Sequence, residues 1–246
     1  MHASIITGGG RGIGRAIARR LAGDTAVVLV GRTEVDLISA RADILGDGGS
    51  AEYVAGDVTD PDTAQRAISL VRKKGWTARN LICNAGIGKS GAFEMFDAAT
   101  WKQIFEVNVY GTFYFFQACV SEMLIHGGGT ICIMSSVAGL KGYPYNAAYV
   151  ASKHALVGMA RSLALEYRTR GITVVPVCPG FVESDMTERT IHGVMERRGM
   201  GYDEARTRVA RANSQQRIIL AEEVAETIAN VCAGKVLSPG GEPLII

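Results

Sequence analysis

The stretch ASIITGGGRGIGRAIARRL, residues 3–21, opens as an apolar run of strand length, Ala3–Thr7. It then passes through a glycine-rich turn and enters a helix near Gly12. Glycines at 8, 12 and 14 let such a turn fold tightly and approach a pyrophosphate. The helix start around Ile13 adds amide donors and a favourable dipole. The spacing is looser than GxGxxG, so a plain flexible strand-to-helix loop is the competing explanation. The rest of the chain decides between them.

Working outward, apolar runs of strand length recur at Ala26–Val30, Ala51–Val54, Leu81–Asn84, Thr130–Ser135, Ile172–Cys178 and Pro243–Ile246. Between them lie helical stretches beginning near Glu34, Asp62, Thr100, Tyr149 and Ala221. Short, continuously apolar strands fit a parallel sheet buried on both faces, and parallel strands need crossover helices. The sequence therefore predicts an α/β fold: one Rossmann-type, doubly wound parallel sheet spanning residues 1–246 as a single domain. Ligands bind such sheets beyond the carboxyl ends of the strands. There the polar and glycine-rich segments collect: TGGGRGIG, GRT, GDVTD, CNAG, SSVAG and CPGFVESDM.

The chain has 246 residues, 48% hydrophobic and 20% charged, with a formal net charge of +2. That balance is too mild to suggest nucleic acid as a partner. There is no apolar run of membrane-spanning length and no signal-peptide layout at MHASIITGGG, so no membrane association is expected. The five cysteines show no metal-ligand spacing and sit mostly in apolar runs. They fit reduced thiols in a cytoplasmic protein without a metal.

An NAD site usually carries an acid at the end of the second strand to hold the ribose hydroxyls. LVGRT places Gly31, Arg32 and Thr33 there instead, with Arg11 in the first loop. Two guanidinium groups can clamp an adenosine 2′-phosphate that an acid would repel, so the expected cofactor is NADP(H). Two solvated surface arginines are the bland alternative.

Further along, AAYVASKHALVG, Ala147–Gly158, sets Tyr149 and Lys153 four apart on one helix face. A neighbouring ammonium makes loss of a phenolic proton easier. Ser136 and Ser135 are equally good hydroxyls by composition, and Asn108 could simply bridge buried backbone. None of the four histidines falls in a catalytic pattern.

TGGGRGIG, GDV at 56–58, NAG at 84–86, Asn108 within VNVYG, SSVAG at 135–139, YVASK at 149–153 and PG at 179–180 come in this order. The chain thereby resembles the short-chain dehydrogenases/reductases over nearly all its length, including the separation between Ser136 and Tyr149. The resemblance implies hydride transfer between a nicotinamide and a carbonyl carbon. Tyr149 would be the proton donor, Ser136 a hydrogen-bond donor to the same oxygen, Lys153 a partner of the ribose, and Asn108 the holder of a relay water. It also implies that Asp57 and Val58 contact adenine and that Asn84, Ala85 and Gly86 lie along the adenosine ribose. Pro179, Gly180, Val182 and Ser184 would cradle the carboxamide.

Residues 185–217 lack a strand pattern and carry seven arginines against five acids. By the resemblance they cover the substrate. A solvated helical pair with internal ion pairs such as Glu204–Arg208 is the alternative. Bacterial 3-oxoacyl-(acyl carrier protein) or acyl-CoA reductases are the nearest pattern, so an acyl-thioester carbonyl is the expected substrate. A small ketone, sugar or polyketide is a second reading, and a non-catalytic NADP(H)-binding regulator a third. The apolar stretch Thr100–His126 and the helix bearing Tyr149 imply a homo-oligomer, dimer or tetramer. A short last strand would weaken the tetramer contact.

Overall fold

The structure is a computed structural model that describes residues 1–236 and 238–246. The strands are β1 (His2–Thr7), β2 (Ala26–Gly31), β3 (Ala51–Ala55), β4 (Thr77–Cys83), β5 (Gly129–Met134), β6 (Ile172–Cys178) and β7 (Leu244–Ile245). They form one parallel sheet in the order β3-β2-β1-β4-β5-β6-β7. Their alternating side chains divide the core into two layers. Ile5, Val28, Val30 and Ile131 face one side of the sheet, while Ile6, Val27, Leu29 and Cys132 face the other. Both faces are covered, which explains why the strands read as unbroken apolar runs.

The helices are α1 (Gly12–Leu21), α2 (Glu34–Gly46), α3 (Pro61–Lys73), α4 (Ala98–Phe105), α5 (Gly111–Ile125), α6 (Ala147–Tyr167), α7 (Asp185–Arg198), α8 (Tyr202–Ala210) and α9 (Ala221–Cys232). Helices α3, α5 and α6 cover the first layer, through residues such as Val71, Phe115 and Leu156. Helices α1, α2 and α9 cover the second through Ile17, Leu37 and Ile228. Local chemistry starts several of them. Asp60 accepts from the Asp62 amide ahead of α3, with Pro61 as the first helical residue. Asp97 accepts from the Thr100 amide at 2.6 Å at the head of α4. Among the described residues, no helix is long and apolar enough to cross a membrane.

Most strand ends differ from the sequence expectation by one residue, and two differences are larger. Strand β4 begins at Thr77 rather than Leu81, because polar residues enter a buried strand when partners await them. The buried Asn80 amide donates to the Ser4 hydroxyl at 3.0 Å. The stretch Thr100–His126 is not one helix: a π-helical segment, Glu106–Tyr110, separates α4 from α5. Within it the Asn108 carbonyl accepts from the Thr112 hydroxyl at 2.8 Å.

Crossovers run one way from β1 to β3 and the other way from β4 to β7. The crevice where they diverge lies between β1 and β4. Residues 185–217 fold as α7 and α8 around their own small core of Ile191, Ala205, Val209 and Ile218. Ion pairs of these residues run across segments, Arg206 with Glu183 at 3.9 Å, Asp185 with Arg11 and Arg217 with Glu223, and among the described residues the Glu204–Arg208 pair of the alternative reading does not form.

Candidate active site

Two cavities of about 430 and 340 Å³ open above the carboxyl ends of the strands. They share Ile13, Asn84, Gly86, Ser184, Met186 and Arg189, so they form one trough across the sheet edge.

The smaller cavity is the dinucleotide end. A Cβ on Gly14 would stand 2.1 Å from the Gly8 carbonyl oxygen, so only glycine permits this loop to fold back on itself. The Asn84 amide group locks the loop, donating to the Thr7 and Gly8 carbonyls at 2.9 and 3.3 Å. In return, the Thr7 hydroxyl oxygen accepts from the amides of Asn84 and Ala85 at 2.9 and 3.0 Å. The sequence carries no signal for that role of Thr7 beyond its place at the strand end. Arg11, Gly12, Arg32, Thr33, Asp57 and Val58 line the same cavity.

Arg11 lies 3.4 Å from Asp185 and Arg32 lies 3.8 Å from Asp57. Both pairs are well exposed, so neither holds its guanidinium firmly. Asp57 also forms a turn, with Oδ1 accepting from the Thr59 amide and hydroxyl at 3.0 and 2.9 Å. No motif marks Asp36, yet it too lines this cavity, from the first turn of α2. The glycine cradle and the α1 N-terminus fit the phosphate chain of a dinucleotide.

The larger cavity brings Ser136, Tyr149 and Lys153 together. Buried Lys153 reaches under the phenol, its Nζ 5.6 Å from the centre of the Tyr149 ring, and donates to the Met134 carbonyl at 2.7 Å. Burial pushes its pKa down to about 8. Tyr149 moves opposite to the sequence expectation. Burial pushes the phenol up to about 12, against a smaller downward pull from its hydrogen bond with Ser136. Loss of water around the phenolate outweighs the Ser136 hydrogen bond, so the phenol keeps its proton.

The two serines, both on the cavity, differ in their partners. The Ser135 hydroxyl donates to the Lys153 carbonyl at 2.9 Å and is buried. Ser136 begins a single 3₁₀ turn, Val137–Gly139, and its hydroxyl accepts from the Ala138 amide at 3.1 Å at the cavity wall. Asn108 is fully buried in the π-helical segment. Its Oδ1 accepts from the Ile87 amide at 2.8 Å, and its Nδ2 donates to the Ile87 carbonyl and the Ser152 hydroxyl at 3.0 and 2.9 Å. Gly86 lets these groups converge, since a Cβ there would lie 3.3 Å from Asn108 Oδ1 and 3.5 Å from Lys153 Nζ.

Pro179, Gly180, Val182 and Ser184 border the same cavity. Asn213, which no motif marks, pins this segment. Its Oδ1 accepts from the Phe181 amide at 2.7 Å, and its Nδ2 donates to the Phe181 and Arg217 carbonyls at 2.9 and 2.7 Å. Ser184 caps α7.

The lysine gives a pH signature for the ligand-free protein. An unfolded lysine titrates near 10.5 and folded Lys153 near 8, so between those values the unfolded chain holds the extra proton. Stability therefore gains on the order of 3 kcal/mol from this group as pH rises through that window. In Lys153→Met the gain is absent. Denaturant titrations of both proteins at pH 7 and 10 check this, and an unchanged pH dependence in the variant contradicts it.

The comparisons with known proteins agree with the geometry. The model of the short chain dehydrogenase family matches residues 2–194. The chain is 36% identical over 190 residues to a 3beta-hydroxysteroid dehydrogenase of Mediterraneibacter gnavus, covering 76% of this chain and 68% of that one. It is 36% identical over 184 residues to the 3-oxoacyl-(acyl-carrier-protein) reductase of Escherichia coli, covering 75% of each. Among solved structures, an actinorhodin polyketide ketoreductase with NADPH superposes with a TM-score of 0.93 at 29% identity, over 100% of this chain and 95% of that one. The chain belongs to the short-chain dehydrogenase family. It is an oxidoreductase of CH–OH and C=O groups with a nicotinamide cofactor.

Proposed function

We propose that the protein reduces a carbonyl to a secondary alcohol with NADPH, and that the carbonyl belongs to a 3-oxoacyl thioester. The observation that carries the first part is the phenol of Tyr149, which burial keeps protonated, on the cavity wall with Ser136, whose hydroxyl donates only a long 3.4 Å bond to the Pro179 carbonyl. When bound, the cofactor supplies a hydride to the carbonyl carbon. Tyr149 gives its proton to the carbonyl oxygen as negative charge builds there, and Ser136 donates a hydrogen bond to the same oxygen. Lys153 stands under the phenol, where its positive charge stabilises the phenolate that remains. Asn108 is assigned the holding of a water that returns a proton to Tyr149. Its two Nδ2 protons are engaged by Ile87 and Ser152 and its Oδ1 takes one bond from Ile87, which fixes the side chain and leaves one Oδ1 lone pair for the water.

NADPH over NADH is supported by Arg11 and Arg32 on the dinucleotide cavity and by the absence of a carboxylate at Gly31, Arg32 or Thr33. The thioester is supported by the likeness to the Escherichia coli reductase and by the arginines of residues 185–217. A polyketide, sugar or small ketone is the second reading, favoured by the polyketide ketoreductase and by an L-sorbose reductase solved with NADPH and L-sorbose, at 25% identity and a TM-score of 0.90. NADPH consumption across a panel of 3-oxoacyl thioesters, ketones and ketoses separates them. Turnover of ketoses alone would replace the thioester reading, and no turnover at all would leave a cofactor-binding regulator. Five free thiols, four of them buried, fit work in a reducing cytoplasm.

A homo-oligomer joined through α5 and α6 fits the exposed Tyr110, Phe113 and Leu165 on that side of the chain. Sedimentation at micromolar concentration is expected to show a dimer or tetramer. An active species of only 26.2 kDa would contradict it.

A further inference from the structure

Helix α7 lays two arginines along the trough. Arg189 borders both cavities, whereas Arg197 borders only the larger one. Eight residues of helix set them about 12 Å apart along the axis. Arg197 thus stands at the far end of the substrate cavity from the dinucleotide.

Three features shape its place. Gly193, one turn earlier, leaves room for the guanidinium, which would come within 3.1 Å of a Cβ there. The guanidinium carbon stacks 5.5 Å from the ring centre of Tyr145. Tyr145 is itself held at φ 64°, a left-handed conformation uncommon for a tyrosine, with its carbonyl accepting from the Gly91 amide at 2.8 Å. Among the described residues, neither Arg189 nor Arg197 is paired with a carboxylate, whereas most of the other arginines of the substrate-covering segment and the glycine loop either are or lie off the cavity. Lys89 on the same wall is matched by Asp97 at 3.8 Å, and Glu196 is the one acid bordering the cavity. Tyr143 lines the same cavity, and its hydroxyl is buried with no hydrogen-bond partner.

The general function of arginines at a helix end is to oppose its dipole, and Arg198 serves that purpose equally well while lying off the cavity. A dipole role does not require the fold-back onto Gly193 and the stack on Tyr145. We propose that Arg197 anchors an oxyanion at the end of the substrate remote from the reacting carbonyl. The substrate class is then ketones bearing a carboxylate, sulfonate or phosphate. This assignment rests on the reductase reading and narrows its substrate.

The test uses 3-oxobutanoate, 5-oxohexanoate and 7-oxooctanoate and the methyl ester of each, with the full-length NADPH-loaded protein. At least one acid is expected to exceed its ester about 10- to 100-fold in kcat/KM, mostly through KM. Arg197→Ala should remove that advantage and leave the ester unchanged, Arg197→Lys should restore part of it, and Arg198→Ala should keep it. Equal use of acid and ester, or equal losses for both in Arg197→Ala, overturns the proposal. Calorimetric binding of the same acids, read in parallel, separates the two readings. Acid binding that depends on Arg197 without NADPH oxidation supports the anion site and overturns the reductase reading alone. No acid binding and no acid preference overturns the anion site.

Discussion

Tyr149→Phe is expected to lower turnover by about 10²- to 10⁴-fold while NADPH still binds. The ring stays, so its packing against Gly88 and over Lys153 is kept, and only the transferable proton is removed. Ser136 can still hydrogen-bond the carbonyl oxygen, but a serine hydroxyl is too weak an acid to replace a phenol. The dinucleotide half of the trough owes nothing to this hydroxyl, since Tyr149 borders the larger cavity alone. Steady-state rates together with a fluorescence titration of NADPH check both halves of the expectation. Near-normal rates in the variant would remove Tyr149 from the chemistry.

Arg32→Asp is expected to swing cofactor preference from NADPH towards NADH by about 100-fold. Arg32 is mostly exposed, and its 3.8 Å approach to Asp57 is a weak hold, so the guanidinium is free to turn to a phosphate. An aspartate there repels a 2′-phosphate and accepts hydrogen bonds from ribose hydroxyls. Asp57 beside it deepens the reversal by adding a second negative charge. The ratio of kcat/KM for the two cofactors is the measurement. Equal use of both by the unmodified protein would overturn the clamp.

The sheet was legible because its strands are buried on both faces. Ile5 and Ile6 serve opposite layers, and the sequence shows this as an unbroken apolar run. The trough was legible because a doubly wound sheet brings the strand ends together, so six separated segments describe one place. Other features depend on where a side chain finds its partner, which composition does not encode. Ser135 and Ser136 both border the cavity and differ in their partners: Ser135 donates to the Lys153 carbonyl, whereas Ser136 accepts from the Ala138 amide. Asn213 and Thr7 act through backbone groups far away in sequence. The pKa of Tyr149 follows the loss of water on burial, which the spacing to Lys153 does not reveal.

The π-helical segment has a further consequence for the helix that contains it. One turn there holds an additional residue, so α5 is displaced in phase by about 100° from the wheel on which α4 is drawn. The two halves face different neighbours: Ile104 on α4 and Phe115 on α5 are both buried, while Asn108 between them turns to Ile87. Register along this helix is thus set separately on each side of Asn108. Removal of one residue from the segment would return the wheel to a single phase. Phe115 would then swing out of its layer and Gly111 out of its close approach to Val58, where a Cβ would stand only 2.8 Å from a valine methyl. Whole-turn changes in length leave the facing of α5 intact, and single-residue changes do not.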